Sequence, residues 1–164
     1  MTGRNRRHLS YGLSAALLVA LAFAVVLTLV DPGSSAASST QESAARKEVQ
    51  RVASSFAANV NTYSSSKVDG YTKRVRPLLT DKFEKSFSQA IEGILSQMRS
   101  AKVQSKGEVL VTGVSSLDQD SATVLVVSDA DVSTSAGDRA RHFRWEVNLV
   151  RQEGKWLVNG FQPK

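Results

Sequence analysis

Residues 142–161 read HFRWEVNLVRQEGKWLVNGF, and the fold turns on how they are read. Phe143, Trp145, Val147 and Leu149 alternate with His142, Arg144, Glu146 and Asn148, the period of two expected of a strand with one dry and one wet face. Glu153-Gly154 breaks the alternation with a pair suited to a tight turn, and residues 156–161 resume it as a second strand. The chain therefore ends in an antiparallel hairpin carrying two tryptophans, Trp145 and Trp156.

Upstream of the hairpin, residues 122–127 (ATVLVV) predict a strand buried on both faces, and Asp118-Gln119-Asp120 supplies the turn that leads into it. Val109 and Val111 begin the strand before that turn, and residues 133–138, with Gly137, read as a mobile loop. Before residue 101 the period becomes helical. Phe83, Phe87, Ile91, Ile94, Leu95 and Met98 form an apolar stripe about four turns long, capped by Thr80. A shorter helix after Asp69 carries Tyr71, Val75, Leu78 and Leu79, and Pro77 is expected to end or kink it. A first helix, with Ser39 and Glu42 at capping-box spacing and Thr40 as an alternative cap, places Val49, Val52, Ala53, Phe56, Ala57 and Val60 on one face. Its other face, with Arg46, Lys47, Gln50, Arg51 and Ser54, is solvated. Three helices followed by four antiparallel strands predict an α+β domain over residues 42–164, its sheet curved around the long third helix. Phe83, Phe87, Trp145 and Trp156 are the candidates to fill the core of that domain or to line an apolar cavity within it.

Residues 31–41, DPGSSAASSTQ, have the composition of a flexible spacer. Residues 9–30 before them carry no charge, and 22 residues at helical rise reach about 33 Å, enough to cross a bilayer. Leu9, Leu17, Leu21, Phe23 and Val30 are among the side chains that would meet hydrocarbon. A cleavable signal peptide is the competing reading, because residues 34–39 are small, but its apolar core usually runs only about 7 to 15 residues. Arg4, Arg6 and Arg7 precede the segment and the first base after it is Arg46. The positive-inside bias thus predicts a cytoplasmic basic tail, residues 1–8, and a single-pass anchor in the cell membrane with the domain outside the cytoplasm. Gly12, Ala16, Ala20 and Ala24, four residues apart, would let a partner helix approach closely.

Composition narrows the function. The net charge of +6 comes from 21 basic and 15 acidic residues. Setting aside Arg4, Arg6 and Arg7 leaves 18 minus 15, or +3, scattered among acids, so no nucleic-acid partner is expected. Cysteine is absent, which removes disulfides, thiolate metal sites and cysteine nucleophiles. Alternation turns His142, the one histidine of the domain, away from the Trp145 row. Asp129 and Asp131 share a strand parity but sit at a strand end. Tyr63 and Tyr71 flank a serine-rich turn where a hydroxyl would reach a pocket mouth, although packing is the more economical reading. Ser64-Ser65-Ser66 lacks a nearby base. No metal-ligand set or glycine-rich phosphate loop occurs, so the expectation is a non-enzymatic domain without cofactor or metal.

Three stretches carry a resemblance. Leu79-Thr80-Asp81-Lys82-Phe83 with Phe87, the strand at 122–127, and Val147-Asn148-Leu149-Val150-Arg151 through Gly154-Lys155-Trp156-Leu157-Val158, set behind a basic tail and one apolar span, resemble the Mce-associated membrane proteins of actinobacteria. These are accessory to mammalian-cell-entry lipid transporters. The resemblance implies a nuclear-transport-factor-like cone, a fold also used by assembly components of bacterial secretion systems, with Trp156 sealing the core and no catalytic set. It implies a cell-envelope scaffold that stabilises or assembles a lipid import complex, with the membrane and transporter subunits as partners. The alternative is a module that binds a lipid or small molecule in an apolar cavity of the cone.

Overall fold

The computed structural model describes residues 32–100 and 102–164. The predicted anchor, with Leu9, Leu17, Leu21, Phe23 and Val30, lies outside the described residues, as do the side chains of Leu95 and Met98. No helix among the described residues is long and apolar enough to cross a membrane. The chain divides into two compact units, Met1–Ser43 and Ala44–Lys164. Of the first, residues 32–43 are described and are helical. Everything below concerns the second.

In chain order the elements are α1 (Pro32–Asn61), β1 (Tyr63–Ser64), α2 (Val68–Val75), a 3-10 turn (Arg76–Leu78), α3 (Asp81–Ser100), β2 (Gln104–Leu117), β3 (Ser121–Thr134), β4 (Gly137–Gln152) and β5 (Lys155–Pro163). The strands make one antiparallel meander, β1-β2-β3-β4-β5. The sheet has five strands where four were expected. The addition is Tyr63 and Ser64 paired with Ser105 and Gln104, too short to leave a periodic signature. Pro77 ends α2 in the 3-10 turn, as its missing donor requires.

Residues 32–41 are helical where a flexible spacer was expected, and the helix already runs through the expected caps Ser39 and Thr40. Ala36, Ala37, Gln41 and Glu42 are good helix formers. Further along α1, Val49, Val52, Ala53, Phe56 and Ala57 are buried at helical spacing. They pack with Ala122, Val124 and Val126 of β3, Val147 and Leu149 of β4, and Trp156 and Val158 of β5. In β3 the even positions from Ala122 to Ala130 are buried while Leu125 is 44% exposed, so this strand has one dry face and not the two expected.

The centre of the core is α1, not α3. Every described side chain of α3 keeps some exposure, including Phe83, Phe87 and Ile91. The face of α1 formed by Val49, Val52, Ala53, Phe56 and Ala57 is fully covered, whereas the aromatic stripe of α3 stays partly exposed. Polar groups seat the end of α1. Asn61 donates from Nδ2 to Ser128 Oγ at 3.0 Å, and its carbonyl accepts from Ser105 Oγ at 2.6 Å. Thr62 Oγ1 accepts from the Gly107 N–H at 3.0 Å.

Two hairpins shape the rest. Glu153 and Gly154 both have positive φ, 49° and 77°, the conformation a two-residue turn needs between paired Gln152 and Lys155. Residues 133–138, expected as a mobile loop, are instead the tip of the β3–β4 hairpin, with Thr134 opposite Gly137. Thr134 Oγ1 accepts from the Ala136 N–H at 3.1 Å and donates to the Gly137 carbonyl at 3.0 Å, bonds that loop-like composition does not reveal.

Gly107 marks where α1 touches β2. A Cβ there would lie 2.5 Å from Asn61 Cβ and 3.1 Å from the Asn61 carbonyl carbon. Gly107→Ala must push α1 off the sheet, and a loss of roughly 1–3 kcal/mol of stability is expected. Urea unfolding followed by far-UV circular dichroism checks it, with Gly113→Ala, which meets nothing within 4 Å, as the control.

Candidate ligand cavity

Between α3 and the concave face of the sheet lies a cavity of about 520 Å³. From α3 it takes Phe83, Phe87, Ala90 and Ile91, the stripe that repeats every three to four residues. From the sheet it takes Phe143 and Trp145 of β4 and Phe161 of β5. Val60, Tyr63 and Tyr71 close the far end. Asn61 and Ser86 add polar atoms to the wall. Among the described residues, the lining holds no carboxylate, imidazole or amine.

Phe161 is the hub of this wall. Its ring stacks on Trp145 with centroids 4.5 Å apart and meets Phe56 at 5.2 Å, Phe83 at 6.1 Å and Phe87 at 6.4 Å, the last three edge to face. Alternation along β5 would send Phe161 to the face opposite Trp156 and Val158. A bulge prevents this. Leu149 pairs with Val158 and Asn148 with Gly160, which leaves Asn159 unpaired and restores Phe161 to the inner face. The bulged residue also anchors α3. Thr80 donates from Oγ1 to Asn159 Oδ1 at 3.1 Å, its N–H donates to the Val158 carbonyl at 2.9 Å, and its Oγ1 accepts from the Phe83 N–H as the helix cap.

Of the four aromatic residues singled out in the sequence, Phe83, Phe87 and Trp145 line the cavity, whereas Trp156, 7% exposed, belongs to the core. Tyr63 and Tyr71 meet edge to face at 6.4 Å and both belong to the lining. Phe161 and Phe143 were not marked as site residues. The only trace of Phe161's role is Asn159-Gly160 interrupting an otherwise strand-like run. His142 faces outward, as alternation requires, with Asp129 Oδ1 2.8 Å from its Nδ1. Asp129 thus meets the histidine directly opposite it on β4.

Two polar groups stand out in the apolar wall. Trp145 Nε1 is buried without a hydrogen-bond partner, an arrangement costing about 1–3 kcal/mol when nothing accepts from it. Tyr71, 2% exposed, has its phenol pushed well above the ordinary range by burial and further by Tyr63, with Arg74 opposing.

A family profile described as "Uncharacterized protein Rv1363c/MT1408-like" matches residues 12–160. The chain belongs to this family. A relative from Mycobacterium tuberculosis (strain ATCC 25618 / H37Rv), "Uncharacterized protein Rv1363c", is 30% identical over 163 residues. The match covers 94% of this chain and 62% of the relative, so the chain spans less than two thirds of that protein. Among solved structures, an IcmL-like type IV secretion system protein from Legionella pneumophila superposes with a TM-score of 0.63 at 9% identity, over 73% of this chain and 91% of that one. CagV, a VirB8 homologue of the Helicobacter pylori type IV secretion system, gives 0.56 at 10% identity, over 72% and 97%. At such identities these neighbours show the fold alone, helices on a curled antiparallel sheet of the VirB8 and nuclear-transport-factor-like kind. The α+β class expected from the sequence is thus observed, with neighbours of the fold that the resemblance implied.

The perturbed phenol gives a pH signature. Folded Tyr71 keeps its proton where the unfolded chain has lost it, so its stabilisation is complete below about pH 10 and falls as pH rises beyond that. Tyr71→Phe should remove this part of the alkaline loss. Thermal melts of both chains between pH 8 and pH 11.5 measure the difference, and parallel decline in the two would mean that Tyr71 titrates normally.

Proposed function

We propose that this protein is a non-enzymatic accessory of the cell envelope whose cone holds an apolar ligand between α3 and the sheet. One observation carries this reading: a cavity of about 520 Å³ walled chiefly by aromatic and aliphatic side chains, within the size and chemistry of small-molecule sites. The absence of an acid–base pair among its described lining residues supports binding over catalysis. The uncharged run 9–30 behind Arg4, Arg6 and Arg7 supports a membrane anchor that holds the domain near the bilayer, outside the cytoplasm. A lipid is the ligand class that such a location supplies.

A second reading has its own observation. Leu110, Val111 and Leu125 are large apolar residues 44–58% exposed, and Val111 pairs in register with Val127 while Gly113 pairs with Leu125 on the adjacent strand. Such a patch suits lateral docking on a larger assembly. With the likeness to Mce-associated proteins, it supports a scaffold that stabilises or assembles an Mce-type lipid importer. Use of the same cone in proteins titled as type IV secretion components supports an envelope-assembly role by analogy of fold.

The two readings make separate predictions. Ile91→Trp should fill the cavity and weaken binding of the uncharged probe N-phenyl-1-naphthylamine to the full-length chain at least about tenfold, or 1.4 kcal/mol. Unchanged affinity in a folded variant would remove the cavity as the site. For the scaffold, deleting the protein should lower the abundance of a lipid-importer subunit; normal subunit levels with normal lipid uptake would refute it.

A further inference from the structure

The β3–β4 hairpin sorts its charges by face. Pairing runs without a break from Ser121 opposite Val150 to Thr134 opposite Gly137. The parity that turns Phe143 and Trp145 into the cavity therefore turns Arg141 and Arg139 to the same side of the sheet. All four carboxylates of the two strands, Asp129, Asp131, Asp138 and Glu146, take the other parity, with His142. Opposite the two arginines stand Val132 and Ala130. Both arginines are exposed, and neither forms an ion pair with a described residue. The inner face of the hairpin thus carries two positive charges and no acid to balance them.

These cations continue the wall of the apolar cavity. Along the inner face of β4 the order is Val147, Trp145, Phe143, Arg141 and Arg139. Val147 lies opposite Phe161, so six positions, about 20 Å at strand rise, separate the aromatic hub from Arg141. Helix α3 runs in the same direction. Its cap Thr80 is held at Val158, level with Leu149, and its last residue, Ser100, comes four positions before Gln104, which is level with Asp138. The second half of α3 therefore lies toward the arginine end. There Ala90 and Ile94 line the cavity yet remain exposed, so the cavity opens on that side.

We propose that Arg139 and Arg141 form the polar mouth of the α3 cavity and hold the carboxylate or phosphate of a ligand whose single apolar chain lies inward along Phe143, Trp145 and Phe161. This rests on the apolar-ligand reading above and adds the sign of the ligand's head group and the direction in which it lies. A guanidinium suits either anion, since its planar donors meet two oxygens at once. At the exposed rim the head stays hydrated, whereas burial in the apolar interior would strip its water without compensation.

The test uses the full-length chain in a nonionic amphipol and the quenching of tryptophan fluorescence by 9,10-dibromostearate and by its uncharged methyl ester, which share a chain and differ in the head. Arg139→Gln/Arg141→Gln should weaken the acid about fivefold and leave the ester unchanged, the scale of two exposed charge contacts. Lys106→Gln/Arg144→Gln removes as much charge from the outer face and should change neither; equal weakening of the acid would mean that net charge alone attracts it, and would overturn the proposal. Oleate and 1-oleoyl-lysophosphatidate, competing against the ester, show which head group is preferred, and both should weaken in the inner-face variant. Added salt should weaken the acid alone. Loss of the ester in step with the acid, or no loss of either, would overturn the mouth while keeping the apolar site. Failure of both probes to quench would overturn the site as well.

Discussion

The arrangement of this domain depends on a single extra residue in its last strand. Asn159, bulged out of the β4–β5 ladder, turns Phe161 inward and offers its own amide oxygen to Thr80. The first effect assembles Phe56, Phe83, Phe87 and Trp145 around one ring. The second ties the start of α3 to β5. Without the bulge, Phe161 would lie on the solvent face, and the helix would lose its polar anchor and its aromatic counterpart together. Bulges are a common means of re-aiming a side chain at a functional surface.

Against that pinned end, α1 supplies the stability. Its last turn, at Ala58 and Asn61, sits close enough to β2 for Gly107 to have no room for a methyl group, and it is held by the bonds among Asn61, Ser105 and Ser128. Buried polar groups are tolerated there because each has a partner, in contrast to Trp145 Nε1 in the cavity wall. The domain thus separates a tightly packed half from an open one, and the unmet donor falls in the open half.

Much of this was legible in the sequence wherever a period repeated. The alternation from Phe143 to Leu149, the turn at Glu153-Gly154 and the stripe from Phe83 to Ile91 identified the closing hairpin, the sheet and the longest apolar helix face. What escaped were departures from period. Phe161 falls on the wrong parity by simple alternation, since no pattern of two predicts a bulge. The tip of the β3–β4 hairpin has loop-like composition, but Thr134 bonds it into a turn. Residues 32–41 look like a linker because serine and alanine are ambiguous, yet they are helical. Which of α1 and α3 would be fully buried was unreadable because both carry apolar stripes, and a stripe does not say whether the face opposite it is covered.

The incomplete cover over α3 has a dynamic consequence. A helix whose described side chains all remain partly exposed, and which is fastened mainly at its first turn, opens at a smaller free-energy cost than a helix seated in the core. Amide exchange is therefore expected to be faster along α3 than in the buried stretch of α1 from Val49 to Asn61. An occupant of the cavity would pack against the stripe of α3 that the fold leaves partly uncovered, and so would slow the local opening of that helix.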